Sequence, residues 1–190
     1  MYAVVDKENL SIALVVNEDD AYTRRVIKGK AELSEDFVNF RINDSDGWEP
    51  AKLGQFIRMH RYLMDDKDKA NEIIAKLKNF TAKVKSKLDK AQERNGNMVA
   101  SYQQEVESNL PTEFRINIEA VVGTGKSLLN VEIDHYVQGT ECYLQLFSPD
   151  ANETVIQYTD SLISSEVARL RNAVPELVII EGSLDDNKLK

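Results

Sequence analysis

Residues 120 to 127 read Ala-Val-Val-Gly-Thr-Gly-Lys-Ser, one glycine short of the Gly-x-x-x-x-Gly-Lys-Ser/Thr loop that cradles nucleotide phosphates. That chemistry needs a strand, a Gly-rich wrap and a helix starting at the lysine, so that helical N–H groups aim at the anion. The residues after Lys126 contradict it. Leu129, Val131, Ile133, His135 and Val137 alternate with Asn130, Glu132, Asp134 and Tyr136, the pattern of a half-buried strand. Before the glycines, Phe114, Ile116, Ile118 and Ala120 alternate with Arg115, Asn117 and Glu119. Two alternating runs joined by Gly123-Thr124-Gly125-Lys126 predict a β-hairpin, the glycines supplying positive φ. Ala120, where the loop needs its first glycine, is a second objection. Glu181, after the apolar run Leu177-Val178-Ile179-Ile180, is a weak candidate for the acid that would hold magnesium.

Other chemistry-bearing residues are scattered. Cys142 shares a strand face with Leu144 and Leu146, which predicts a buried apolar residue rather than a nucleophile. His60 lies in a helical apolar stripe and His135 on a strand, with no second ligand one turn or two residues away. No catalytic, cofactor-binding or metal-binding residue is assigned, and the expectation is a protein that is not an enzyme. A nucleotide-dependent activity at Gly125-Lys126-Ser127 is the minor alternative.

Charge supplies the remaining signals. The 190 residues carry a net charge of −8, but Lys67 to Arg94 holds nine basic against four acidic residues, a local +5 that leaves −13 elsewhere. An acidic body disfavours coating by nucleic acid. Within the basic segment, Lys76, Lys83, Lys85, Lys87 and Lys90 are the candidate nucleic-acid-binding residues, since lysines on an exposed ridge attract a polyanion. Their face lacks stacking aromatics, and a solvated amphipathic helix packed on a sheet is the favoured explanation of them.

The elements that position these residues form one α+β domain over 1–182, followed by a tail over 183–190. The segment 1–46 reads as strands: Leu10–Val16, Tyr22–Lys28 and Phe37–Ile42. A helical hairpin spans 49–94. Pro50 opens its first helix, with Leu53, Phe56, Ile57, His60, Leu63 and Met64 at helical spacing and Trp48 placed to staple it. The second helix runs from Lys67 to Glu93 on the stripe Ile73, Leu77, Phe80, Val84, Leu88 and Ala91, and Asn95-Gly96-Asn97 stops it. The segment 97–181 begins with an antiparallel meander of about four strands, at 98–107, 112–122, 127–137 and 141–147. Asp150 and Glu153 then suggest a capping box for a helix whose stripe includes Val155, Thr159, Leu162 and Ile163, and Pro175 ends it. Leu177–Ile180 reads as a last buried strand.

No apolar run is long enough to cross a bilayer, the first residues lack a secretory leader pattern, and a single cysteine suits a reducing cytoplasm. A host-cell cytoplasmic location is the expectation.

The order of these elements carries a resemblance. Trp48, Pro50, Leu53 and Phe56 open the first helix, and Asn95-Gly96 closes the second. Leu110-Pro111-Thr112-Glu113-Phe114, the glycine hairpin and Pro149 before the final helix follow, with Val5-Asp6 and Leu10–Asn17 near the start. The chain thereby resembles the YfdQ-like family of phage and prophage proteins of unknown function. The resemblance implies a phage origin and action inside the host, around DNA replication or recombination. It transfers no catalytic residue. The leading expectation is a non-catalytic phage or prophage accessory protein that acts by binding a host or phage protein, around DNA replication or recombination or host defence. The alternative is a nucleic-acid-binding accessory factor using the lysine-rich helix. Homo-oligomerisation is expected because exposed sheet edges need cover.

Overall fold

The computed structural model describes residues 1–20, 22–91, 112–138 and 141–184, the side chains of 81–91 and 137–138 excepted. It is an α+β structure. The strand expected at 98–107, the Asn95-Gly96-Asn97 stop and the expected tail from 185 lie outside the described residues. By Cα proximity the chain sorts into two compact units. One comprises Met1–Ser34, Ala120–Gly125 and Glu153–Lys190, the other Glu35–Glu119 and Lys126–Asn152.

The first unit is built on a four-stranded sheet of order β3-β2-β1-β7. Its strands are β1 (Tyr2–Asp6), β2 (Ser11–Val16), β3 (Arg25–Lys30) and β7 (Val178–Glu181). β1, β2 and β3 pair antiparallel in sequence order, while β7 joins β1 in parallel. Ala3, Val4, Val5, Ala13 and Val15 on the two central strands are buried. The last strand was expected to be buried and is not. It sits at the sheet margin, where no further strand is bonded to it among the described residues, and Val178 and Ile180 are exposed.

Two turns hold this sheet's hairpins. Asp6 accepts from the Asn9 backbone N–H, and Asp20 accepts from the Tyr22 N–H and the Thr23 hydroxyl. Both carboxyls are held below the ordinary aspartate range by these side-chain and backbone donors.

The second unit contains the meander β4 (Glu113–Glu119), β5 (Lys126–Gln138) and β6 (Glu141–Phe147), antiparallel throughout. Alternation sends Phe114, Ile116, Ile118, Leu129, Val131, Cys142, Leu144 and Leu146 to one buried face. Helix α2 (Pro50–Met59) buries Leu53, Gly54 and Ile57, and α3 (Lys67–Ala91) buries Ala70, Ile73, Leu77 and Phe80. Gly54 brings α2 close to α3, because a Cβ there would lie 3.6 Å from the Leu77 Cβ. A 3-10 turn, Arg61–Leu63, links the two helices.

Three expectations need correcting. Phe37–Ile42 is not a strand: α1 (Glu35–Phe40) occupies it, burying Phe37 and Phe40 three residues apart, with Glu35 and Asp36 favourably in its first turn. The final helix α4 (Pro149–Ala173) starts before Asp150, so Asp150 lies inside the helix and cannot cap it. Proline in the first position, its missing N–H being one the helix would leave unpaired anyway, sets that start. Ser148 precedes it, clamped by Asn43, which donates to the Ser148 carbonyl and accepts from its N–H, both at 2.9 Å. Finally, the N-terminal strands expected at Leu10–Val16 and Tyr22–Lys28 form as β2 and β3, but as a pair within a four-stranded sheet that also takes in β1 and β7.

Candidate functional site

The glycine hairpin decides the chemistry first. Glu119 lies opposite Lys126 and Ile118 opposite Ser127, so pairing continues to the residues flanking the turn. Gly123 and Gly125 take φ of 86° and 84°, and the Thr124 hydroxyl donates to the Val121 carbonyl at 2.6 Å. Lys126 begins a strand rather than a helix, so no helical amides converge there. Ala120 and Val121 are buried and bridge to the 32–34 segment: Ser34 N–H donates to Ala120 O at 3.0 Å and Val122 N–H to Glu32 O at 2.9 Å. The tip is therefore occupied by structural pairing. Glu181, the candidate magnesium ligand, forms an exposed ion pair with Lys7 at 3.0 Å.

The other singled-out residues are likewise absorbed by packing. Burial pushes the Cys142 thiol up to about 11, which leaves little thiolate at neutral pH. His60 stacks on Phe56 with centroids 4.0 Å apart, and its Nδ1 lies 2.9 Å from the Phe56 carbonyl, the geometry of a donated hydrogen bond. Trp48 packs on Phe56 at 4.9 Å, the expected staple, and carries Arg41 over its ring at 4.7 Å. His135 lies opposite Leu144 and beside Asp134, with its Nδ1 3.9 Å from the Asp134 Oδ1. Among the described residues no three His, Cys, Asp or Glu side chains converge as metal ligands would.

Of the five candidate lysines, Lys76 is ion-paired one turn away with Glu72 at 2.6 Å, and that lysine holds the Glu72 carboxyl below its ordinary value. The side chains of Lys83, Lys85, Lys87 and Lys90 lie outside the described residues. The structure therefore describes Lys76 alone of the proposed basic patch.

What it does assemble is the outer face of the β4–β5–β6 sheet. Opposed residues share a face, and the register sets Glu113 against Glu132, Glu132 against Phe147, Asp134 against Gln145 and Tyr136 against Tyr143. Two carboxylates thus stand directly opposite each other, with a third two residues along β5. Like charges in such pairs destabilise a sheet. Around them lies a hollow of about 410 Å³ lined by Thr112, Glu113, Glu132, Ile133, Asp134 and Phe147. Arg115, the cation next along β4, is engaged by Asp65 at 2.7 Å. Among the described residues no lysine or arginine is ion-paired to Glu113, Glu132 or Asp134.

The neighbouring tyrosines stack with ring centroids 5.4 Å apart. Gly47 lies against them, and a Cβ there would come within 2.8 Å of the Tyr136 hydroxyl. The Tyr143 hydroxyl donates to Glu141, which raises its pKa above the ordinary value. The alternation along β5 already put Glu132, Asp134 and Tyr136 on one side. The opposition of Glu113 to Glu132 depends on strand register, which no single segment encodes.

No described helix is long and apolar enough to cross a membrane. Comparison with protein-family models, curated proteins and solved structures returned no match.

Proposed function

We propose that this chain is a non-catalytic accessory protein of phage or prophage origin that binds a host or phage protein through the exposed face of the β4–β5–β6 sheet. The observation that carries the reading is the direct opposition of Glu113 and Glu132, with Asp134 beside them. A basic partner surface would neutralise that repulsion, so part of the binding free energy comes from relieving it. The stacked tyrosines at the other end of the face offer aromatic contact area with few rotatable bonds, and their rings suit arginine. Proteins that handle nucleic acid carry such basic faces, which fits a setting in DNA replication, recombination or host defence. The phage setting rests on the YfdQ-like resemblance.

The test is capture of partners from infected cells by the tagged chain and by a Glu132→Lys/Asp134→Lys variant, each with and without nuclease. The expected result is a partner protein retained through nuclease treatment and lost on charge reversal. Capture that vanishes with nuclease, survives the reversal and is lost on reversing Lys76, Lys83 and Lys87 would instead establish the nucleic-acid reading.

A further inference from the structure

The aromatic cluster beside α2 is a row of rings with one open end. Trp48 lies 4.9 Å from Phe56, Phe56 stacks on His60 at 4.0 Å, and His60 lies 6.1 Å from Tyr62. Arg41 closes the Trp48 end, its guanidinium 4.7 Å from the ring centroid. It does so from a φ of 53°, the left-handed region where glycine is the usual residue at a helix end and a side chain carries a steric cost. At the other end Tyr62 is 62% exposed, and Met59, next to His60 in the chain, is 75% exposed. The Tyr62 hydroxyl donates to Asp36 at 3.3 Å, a bond that holds the ring by its rim and does not occupy its face. Three guanidiniums accompany the row: Arg41, and Arg58 and Arg61 within four residues of Tyr62 in the chain. Among the described residues none of the three is ion-paired, and Arg61 donates to the neutral Asn71 side chain at 3.1 Å. Arg115 and Arg169, by contrast, are each engaged by a carboxylate.

We infer that this row is a site for single-stranded nucleic acid, a base stacking on Tyr62 to lengthen the row while phosphates meet Arg58 and Arg61 at that end and Arg41 at the other. The ligand class follows from the two kinds of group the surface offers, an exposed ring and unpaired guanidiniums. An acidic peptide brings anions without flat rings, and a duplex keeps its bases stacked inside. An unpaired strand brings both at once. The lysines of α3 lack stacking rings on their own face, and these rings lie on α2 and on the 3-10 turn that leads into α3. A net charge of −8 opposes a polyanion over the molecule as a whole, so the contact is local and depends on these few groups. This inference is independent of the acidic face of the β4–β5–β6 sheet.

Fluorescence anisotropy of a labelled oligothymidylate of about 15 nucleotides, titrated with the full chain, tests it. Binding is expected at low salt and should fall as salt rises, with a log–log slope of roughly −2 for three phosphate contacts. An abasic strand of the same length and the matching duplex should each bind the unmodified chain about tenfold more weakly, since neither offers a base to stack. Tyr62→Ala should cause a similar loss and Tyr62→Phe none, while Arg58→Glu/Arg61→Glu should abolish binding. Circular dichroism establishes that each variant is folded, and the abasic comparison needs no variant. Absence of binding at low salt overturns the inference, as does equal binding of the abasic strand or of the duplex. Displacement of the strand by polyglutamate at equal charge concentration overturns it in favour of an acidic protein partner. Binding that ignores Tyr62→Ala but is lost on reversing Lys76, Lys83 and Lys87 overturns it in favour of the α3 lysines.

Discussion

In the β4–β5–β6 sheet, backbone from outside the strands finishes both flanks. Trp48 exchanges two hydrogen bonds with Leu144 on the β6 side, at 2.6 and 2.8 Å, and the Asp65 N–H donates to Arg115 O at 3.1 Å on the β4 side. The β3-β2-β1-β7 sheet has no such finishing among the described residues, and its marginal strands expose aliphatic side chains. The flanking segments come from far along the chain, Trp48 against Leu144 and Asp65 against Arg115, while the meander's own strands are neighbours in sequence. β1 and β7 pair from opposite ends of the chain, Tyr2 opposite Val178, and leave their sheet's margins unfinished. Both sheets bury apolar side chains, and they differ in how their outer strands are bonded among the described residues.

The largest test of that contrast compares two truncations. Phe114→Ala removes a fully buried ring from the meander core and should cost about 3–5 kcal/mol in urea denaturation. Val178→Ala, at an exposed margin, should stay within about 0.5 kcal/mol. Comparable costs for the two would erase the distinction between a closed sheet and an open one.

An intermediate effect should come from the strap that finishes the β6 flank. Gly47 precedes Trp48, and an added Cβ would lie 2.8 Å from both the Tyr136 hydroxyl and the Tyr143 Cβ. Since the Tyr143 Cβ belongs to the strand and cannot swing away, the strap itself must shift. Gly47→Ala should therefore cost about 1–3 kcal/mol and weaken the near-ultraviolet signal of the tyrosine stack. An unchanged signal and unchanged stability would mean that the strap is not held as tightly as its geometry implies.

The same contrast separates what the sequence discloses from what it conceals. The hairpin at Gly123 and Gly125 is legible because period-two alternation on both sides and two glycines agree about one local structure. α2 and α3 are legible from their stripes, and α4 from its stripe with Pro175 beyond it. α1 is not, because six residues hold less than two helical turns, and Phe37, Val38, Phe40 and Ile42 are all residues that favour strands. The β1–β7 pairing leaves no local trace, and the run Val178-Ile179-Ile180 resembles an interior strand although it lies at a margin. For the candidate site, alternation identifies Glu132 and Asp134 as outward-facing. Placing Glu113 opposite Glu132 needs the register of two strands, which a period-two pattern along either one leaves undetermined.

The smallest effect concerns the turn that leads into β3. Asp20 joins β2 to β3 by accepting the Thr23 hydroxyl at 2.7 Å and the Tyr22 N–H at 2.9 Å, and these donors favour its charged form and lower its pKa. A depressed carboxyl contributes stability that is complete above its unfolded pKa and disappears as pH falls through the folded one. Asp20→Ala should therefore destabilise the β2–β3 hairpin at about pH 7, and the gap between variant and parent should narrow toward about pH 2. Hydrogen exchange on the β3 amides reads the change where it occurs, while the meander amides serve as an internal control. Equal loosening of both sheets would show that the turn acts on the whole molecule, and a gap that ignores pH would show that the aspartate's charge is not what closes it.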